Sequence, residues 1–160
     1  MLAGQFQQWM SRREQRSYWF NKALEKSVKE NRKLIVIGDP DGGWTHGDYG
    51  YGDLCLDLTG CPLAPNSKKF DLSKDSIPLP DNSSVVFSPF VLDLIDNPEY
   101  GYKEMLRVAG NTSNLFILVL KPCEWAFYTY PGVKSDIECV PFYNEFKYKS
   151  SYRRDFSYDR

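Results

Sequence analysis

The sequence predicts an open α/β sheet of mostly parallel strands that is preceded by a helix. Short apolar runs rich in β-branched residues recur between residues 33 and 122, turns with Asp, Gly or Pro separate them, and one capped helix interrupts the series. Near-continuous apolar runs are typical of strands buried on both faces, as in parallel sheets that helices cover. A chain of 160 residues is long enough for one domain with its own core.

The N-terminal region predicts a long helix. Neither glycine nor proline occurs from Gln5 to Glu30, and Phe20, Leu24 and Val28 recur at helical spacing. A break near Ser17 is compatible with this pattern. We expect the second half of the helix to cover one face of the sheet and the first half to project outward.

Six strands are predicted, and the first of them is expected to be central. Residues 39–53 contain five glycines and little apolar periodicity, so they predict a long loop where the first crossover helix would normally lie. Residues 90–95 predict a short helix or turn. The strands are predicted at residues 33–38, 54–58, 70–72, 84–87, 115–120 and 137–140.

A second helix is predicted from signals at both of its ends. Asn97 is a residue type that caps helices, Pro98 fits the first helical position, and Gly110 suits the C-terminal end. A core-facing stripe at helical spacing consists of Tyr102, Met105, Leu106 and Ala109.

Charge is divided unevenly along the chain. Residues 1–33 carry eight Lys and Arg against three Asp and Glu, a net charge of +5, whereas the remainder carries 12 against 18, or −6. The basic arm could be a solvated helix face, or it could contact a protein or an anionic membrane surface. The acidic body argues against a domain that wraps nucleic acid.

These patterns divide the chain into three parts. Residues 1–32 predict a basic amphipathic helix, residues 33–142 an α/β domain, and residues 143–160 a tail rich in Tyr and Arg. The tail has few aliphatic residues, and aromatic and Arg side chains are those that anchor protein interfaces. We therefore expect protein partners, in a larger assembly, at the two ends of the chain.

Cysteine and histidine usage predicts no structural metal site. The four cysteines show no CxxC spacing, and His46 is the single histidine, so a zinc site would lack clustered ligands. We expect all four thiols to be reduced. No apolar run has the length of a signal peptide core or a membrane span, which predicts a soluble protein of the cytoplasm or of an intracellular assembly.

Five sequence segments carry a resemblance to a known family. They are Phe70-Asp-Leu-Ser-Lys, Ile77-Pro-Leu-Pro-Asp-Asn-Ser-Ser-Val-Val-Phe, Val91-Leu-Asp-Leu-Ile-Asp-Asn-Pro-Glu, Met105-Leu-Arg-Val-Ala and Leu115-Phe-Ile-Leu-Val. In this order they resemble class I S-adenosylmethionine-dependent methyltransferases, especially those that act on small molecules. The resemblance spans roughly residues 33–122 and implies a Rossmann-like, methyltransferase-type sheet.

The resemblance also implies a cofactor site for S-adenosylmethionine. In the family, a glycine-rich loop after the first strand lets the backbone approach the methionine part of the cofactor, and Gly38, Gly42 and Gly43 occupy that place. Asp57, at the end of the second strand, matches the acidic residue that accepts the ribose hydroxyls. Asp71 matches the residue that accepts the adenine amino group.

The loop after the first strand also contains candidate catalytic residues. His46 and Asp48 lie in a dense group of polar and aromatic residues and could supply a base or hold a substrate. The alternative is an ordered structural loop that replaces the missing helix.

Three departures from the family pattern bear on activity. The first crossover helix is absent, the glycine spacing is altered, and the region after the fifth strand is short. They favour a non-catalytic or weakly catalytic scaffold that engages protein partners. The alternative is a minimal methyltransferase that acts on a small molecule or on a substrate presented by a partner.

Overall fold

The computed structural model of the chain describes residues 12–38, 52–59, 67–119, 126 and 129–135. Helix α1 spans Arg12–Lys29 and helix α2 spans Pro98–Ala109. The strands are β1 (Lys33–Ile37), β2 (Leu54–Asp57), β3 (Ser67–Lys69), β4 (Ser84–Pro89), β5 (Leu115–Val119) and β6 (Val133–Ser135).

The six strands form one sheet in the order β3-β2-β1-β4-β5-β6, and all neighbouring pairs are parallel. Strand β1 is central, between β2 and β4, as its apolar sequence predicted. This arrangement confirms the α/β, Rossmann-like fold class and the N-terminal helix. Because the chain order reverses between β1 and β4, the carboxyl ends of these strands border the crevice where open α/β sheets bind ligands.

The two helices cover opposite faces of the sheet. Phe20 and Leu24 of α1 pack on one face, where the Phe20 and Phe87 rings meet edge to face with centroids 5.4 Å apart. Met105 and Val108 of α2 pack on the other face. The prediction that the second half of α1 covers the sheet is confirmed. Neither described helix is long and apolar enough to cross a membrane.

Strand β3 differs from its prediction. It consists of Ser67–Lys69, whereas the sequence predicted a strand at residues 70–72. Phe70 and Leu72 are buried, but Asp71 turns the backbone there by accepting a hydrogen bond from the Ser73 N–H at 2.9 Å. An edge strand pairs on one side only and needs little apolar sequence, so its position could not be read from hydrophobicity.

Other predicted elements show smaller differences. Helix α1 runs without a break through Ser17, and Val28, predicted on its apolar stripe, is 64% exposed. The turn after β4 is a 3₁₀ turn at Leu92–Leu94. Strand β6 was not predicted. The predicted loop at 39–53, apart from its last two residues, and the predicted strand at 137–140 lie outside the described residues.

Both predicted ends of α2 are confirmed. The Asn97 side chain accepts a hydrogen bond from the Tyr100 N–H at 3.2 Å, and Pro98 takes the first helical position. Gly110 ends the helix at φ +83°, where its N–H donates to the Leu106 carbonyl at 2.8 Å. The predicted stripe is buried, with Leu106 packed at its margin.

The expectation of four reduced thiols is wrong at Cys55. This residue is fully buried in β2 and is disulfide-bonded. The burial of Cys55 follows from its place in an apolar strand. Disulfide formation depends instead on which second thiol the tertiary fold brings near Cys55. The other three cysteines lie outside the described residues.

Arg107 ties helix α2 to the segment that leads into β4. Its guanidinium donates to Glu104 at 2.7 Å, to Asp81 at 2.7 Å and to the carbonyls of Ile77 and Leu79 at 2.8 and 3.0 Å. Glu104 is 8% exposed and also accepts from the Ile77 N–H at 2.6 Å. The cluster thus satisfies a buried carboxylate and two loop carbonyls at once.

We expect the stabilisation that Glu104 provides to be lost at acidic pH. The hydrogen bond from Arg107 lowers the pKa of Glu104 below its ordinary value of 4.5. A carboxyl with a lowered pKa stabilises the fold above its unfolded pKa, and this stability is lost as the pH falls through the folded pKa. The difference in the free energy of unfolding between wild type and Glu104→Gln should therefore be constant near neutral pH and shrink below about pH 4.5. Urea unfolding across this range measures it, and a difference independent of pH would contradict the assignment.

Candidate functional site

A cleft opens at the carboxyl ends of β1 and β2, beside the segment that follows β3. Its cavity volume is about 90 Å³, which is smaller than the roughly 300–1,000 Å³ of sites that enclose a drug-sized ligand. Most of its wall is apolar, and two carboxylates interrupt it. The lining residues are Ile37, Gly38, Leu56, Asp57, Leu58, Phe70, Asp71, Leu72, Val91 and Ile95.

Gly38 is the residue with which the chain leaves β1. Its φ is +80°, in the left-handed region that favours glycine, and its N–H donates to the Leu56 carbonyl at 2.8 Å. A Cβ atom at this position would lie 2.0 Å from Cγ2 of Val91. The backbone of Gly38 and the Val91 side chain therefore meet closely where both line the cleft.

Asp57 ends β2, and one of its carboxylate oxygens is engaged within its own turn. Oδ2 accepts hydrogen bonds from the Thr59 N–H at 3.0 Å and from the Thr59 hydroxyl at 2.8 Å. Oδ1 accepts none from the part of the chain that the structure describes. The Asp57 carbonyl accepts from the Phe70 N–H at 2.8 Å, which holds the backbone of Asp57 at the sheet.

Asp71 follows β3 and is held in a similar way. Its Oδ1 accepts from the Ser73 N–H at 2.9 Å, and its own N–H donates to Oδ2 of Asp75 at 2.8 Å. Its Oδ2 accepts no hydrogen bond from the described residues. Each of the two lining carboxylates thus keeps one oxygen that can accept from a ligand.

The structure brings three of the predicted cofactor residues into one cleft. Gly38, Asp57 and Asp71 come from the ends of three different strand regions and all line it. The remaining candidates lie outside the described residues: Gly42, Gly43, His46 and Asp48. Their predicted roles in cofactor binding and catalysis stay predictions.

Sequence reasoning missed the wall that Val91 and Ile95 provide. Both belong to the turn after β4, which the sequence predicted only as a short helix or turn. The available signal was topological: β4 neighbours β1 at the point where the chain order reverses, so the segment after β4 must border the crevice. Leu58, 65% exposed at the end of β2, was likewise predicted as part of a strand and not of a cleft.

The cleft presents hydrogen-bond acceptors within an apolar wall. Among the described lining residues, the charged side chains are Asp57 and Asp71, and neither Lys nor Arg lines the cleft. Ionised carboxylates only accept hydrogen bonds, so they suit hydroxyl and amino groups and repel phosphates. The apolar side chains suit a flat ring.

Comparisons with known proteins add no relative: no protein-family model matches the chain, and no curated protein or solved structure is significantly similar to it.

Proposed function

We propose that this domain binds S-adenosylmethionine in the cleft at the carboxyl ends of β1 and β2. The observation that carries the proposal is the meeting of Gly38, Asp57 and Asp71 in one cleft. These residues are far apart in sequence, and the resemblance implied each of them separately as a cofactor contact. An apolar cleft with a few convergent polar groups is also the form that small-molecule sites usually take.

The polar and apolar side chains of the cleft match the chemistry of an adenosine group. Asp57 would accept from a ribose hydroxyl, and Asp71 would accept from the adenine amino group, each through an oxygen that no described donor occupies. The apolar side chains of Phe70 and Ile95 would flank the ring system. The backbone at Gly38 would lie nearest the methionine part, as the resemblance implies for the loop after the first strand.

Methyl transfer is the reaction that such binding would serve. When bound, S-adenosylmethionine supplies a methyl group on a positively charged sulfur, and transfer needs mainly alignment of the acceptor. His46 and Asp48 are the proposed base or substrate contacts. The enzyme would be a minimal methyltransferase for a small molecule or for a substrate presented by a partner.

A second candidate function, a methyltransferase-like scaffold without strong catalysis, is favoured by a different observation. Gly38, Asp57 and Asp71 all have structural roles that need no ligand: a left-handed turn and two side-chain-stabilised turns. A fold can be retained while its chemistry is lost, because function resides in sites. The segments at 1–32 and 143–160 would then hold protein partners, and the N-terminal helix could contact a membrane surface.

Calorimetric titration with S-adenosylmethionine and S-adenosylhomocysteine tests the proposal. We expect Asp57→Ala to weaken binding by about tenfold or more, because a hydrogen bond to a charged group contributes about 1.5–3 kcal/mol. Asp96→Ala is the matched control, since Asp96 is an exposed carboxylate that does not line the cleft. Unchanged affinity in Asp57→Ala would refute the ribose assignment.

The same titration separates the two candidate functions. No heat and no thermal shift with either ligand would leave the scaffold as the function. Truncated chains for partner-binding assays should begin after residue 11, because Gln15 and Phe20 of α1 are 2% and 1% exposed and belong to the core. A chain that begins at residue 21 would lose this packing. A loss of partner binding could then not be distinguished from unfolding of the domain.

A further inference from the structure

The cleft at the carboxyl ends of β1 and β2 has the size of part of one side chain. Its volume is about 90 Å³. A cavity of about 150 Å³ holds a benzene ring, so by proportion this cleft has room for about four non-hydrogen atoms. The outer part of a lysine side chain is of that size. The apolar walls suit its aliphatic stem, which long cationic side chains commonly lay along apolar surface.

The two carboxylates of the cleft have no cation paired with them among the described residues. Asp57 keeps Oδ1 and Asp71 keeps Oδ2 without a donor. Lys69 is in register with Asp57 on the neighbouring strand, yet the two side chains form no ion pair. An ammonium group is a point charge with three donors, whereas the guanidinium of arginine binds best to both oxygens of one carboxylate. Because Thr59 already occupies Oδ2 of Asp57, the site favours an ammonium group.

Two exposed leucines lie beside the cleft. Leu58 lines it and is 65% exposed, and Leu94, which is 72% exposed, lies in the turn between Val91 and Ile95, two further lining residues. Exposed apolar residues that are grouped at one site mark interaction surfaces. A free amine in the cleft would leave both leucines in water, whereas a peptide segment that carried the amine would cover them.

We propose that the cleft and these two leucines form a docking surface for a protein partner, which inserts a lysine side chain whose ammonium group donates to Asp57 and Asp71. Apolar residues next to that lysine would pack on Leu58 and Leu94. The inference goes beyond the proposed function, since it assigns a second kind of ligand to the same cleft and does not require the cofactor. Both ligands would use Asp57 and Asp71, so a bound partner should exclude S-adenosylmethionine.

A blocked tripeptide, acetyl-Leu-Lys-Leu-amide, tests the proposal by titration into the full isotope-labelled chain, followed by NMR. The peptide should shift the amide signals of Gly38, Leu58 and Asp71, which line the cleft. Norleucine in place of lysine keeps the stem but removes the ammonium group, and binding should weaken about tenfold or more. The amine n-butylamine has the charge without the apolar flanks and should also bind about tenfold more weakly or worse. Equal affinity of either probe and the lysine peptide would overturn the proposal.

Two isosteric variants test the carboxylates. Asp57→Asn and Asp71→Asn each keep a side-chain oxygen that can accept from Thr59 or Ser73, so both turns should be retained, and thermal midpoints check this. Each variant should weaken binding of the lysine peptide about tenfold and leave the norleucine peptide unchanged. Asp96→Asn, at an exposed carboxylate outside the cleft, should affect neither peptide. Equal weakening of both peptides by the cleft variants would overturn the assignment.

One further variant tests the apolar flank. Leu94→Ser should weaken binding of the lysine peptide about threefold or more and leave n-butylamine unchanged. Val28→Ser is the matched control, because Val28 is 64% exposed on α1, near the amino ends of the strands and away from the cleft. Equal effects of Leu94→Ser and Val28→Ser on the peptide would overturn the part of the leucines in docking.

Competition with S-adenosylmethionine separates this inference from the proposed function. Peptide binding without cofactor binding would support the inference and refute the proposed function. Cofactor binding without peptide binding would overturn the inference alone, and absence of both would overturn the two together. Simultaneous binding of both ligands would also overturn the inference, since the peptide would then lie outside the cleft.

Discussion

Replacement of Arg107 with methionine is expected to lower the free energy of unfolding by about 3 kcal/mol, near the lower end of the cost of removing one partner from a buried ion pair. The lower end applies because the Arg107 side chain is 31% exposed. The variant would leave the buried Glu104 side chain without its cation. It would also leave the carbonyls of Ile77 and Leu79 without their donor.

Thermal unfolding and urea unfolding both measure this loss. For a domain of this size, about 3 kcal/mol corresponds to a decrease of roughly 6–12 °C in the midpoint. The matched control is Lys103→Met on the same helix. Lys103 pairs with Glu99 at 3.1 Å, but both side chains are 69% exposed, so its loss should change stability by less than about 0.5 kcal/mol. Equal effects of the two substitutions would show that the cluster around Arg107 does not stabilise the fold as its contacts indicate.

The elements that the sequence predicted correctly are those with local signals. Asn97, Pro98 and Gly110 define helix α2 through chemistry within a few residues of each end, and the apolar run at β1 needs no distant partner to be recognised. Strand β3 was misplaced because Ser67–Lys69 becomes a strand only through pairing with β2. The cluster around Arg107 was missed for the same reason, since Asp81 and Ile77 lie 26 and 30 residues away in sequence.

The same distinction between local and distant signals applies to the candidate site. Asp57 and Asp71 could be proposed from the resemblance, and side chains at the carboxyl ends of parallel strands meet at one edge of a sheet. The engagement of each carboxylate by its own turn could not be predicted, since it depends on the local backbone path. The contact between Gly38 and Val91 could not be predicted either, because it joins the segments that follow two neighbouring strands, β1 and β4.

That contact underlies the second large effect, because Gly38→Ala should destabilise the domain by about 3 kcal/mol. A side chain at φ +80° costs about 1–2 kcal/mol in backbone energy, and overpacking against a neighbour costs about 1–3 kcal/mol. The new Cβ would lie 2.0 Å from Cγ2 of Val91, so that side chain or the backbone must move. Since both residues line the cleft, the same movement should change the shape of the cleft and weaken the proposed binding of S-adenosylmethionine.

A double-mutant cycle separates the two causes of this loss. Val91→Ala removes the clashing methyl groups, so adding it to Gly38→Ala should recover about 1–2 kcal/mol, while the backbone cost should persist. Urea unfolding of the four chains of the cycle measures the coupling. Additive effects of Gly38→Ala and Val91→Ala would mean that the backbone alone requires glycine after β1, and the close approach of Val91 would then have no part in shaping the cleft.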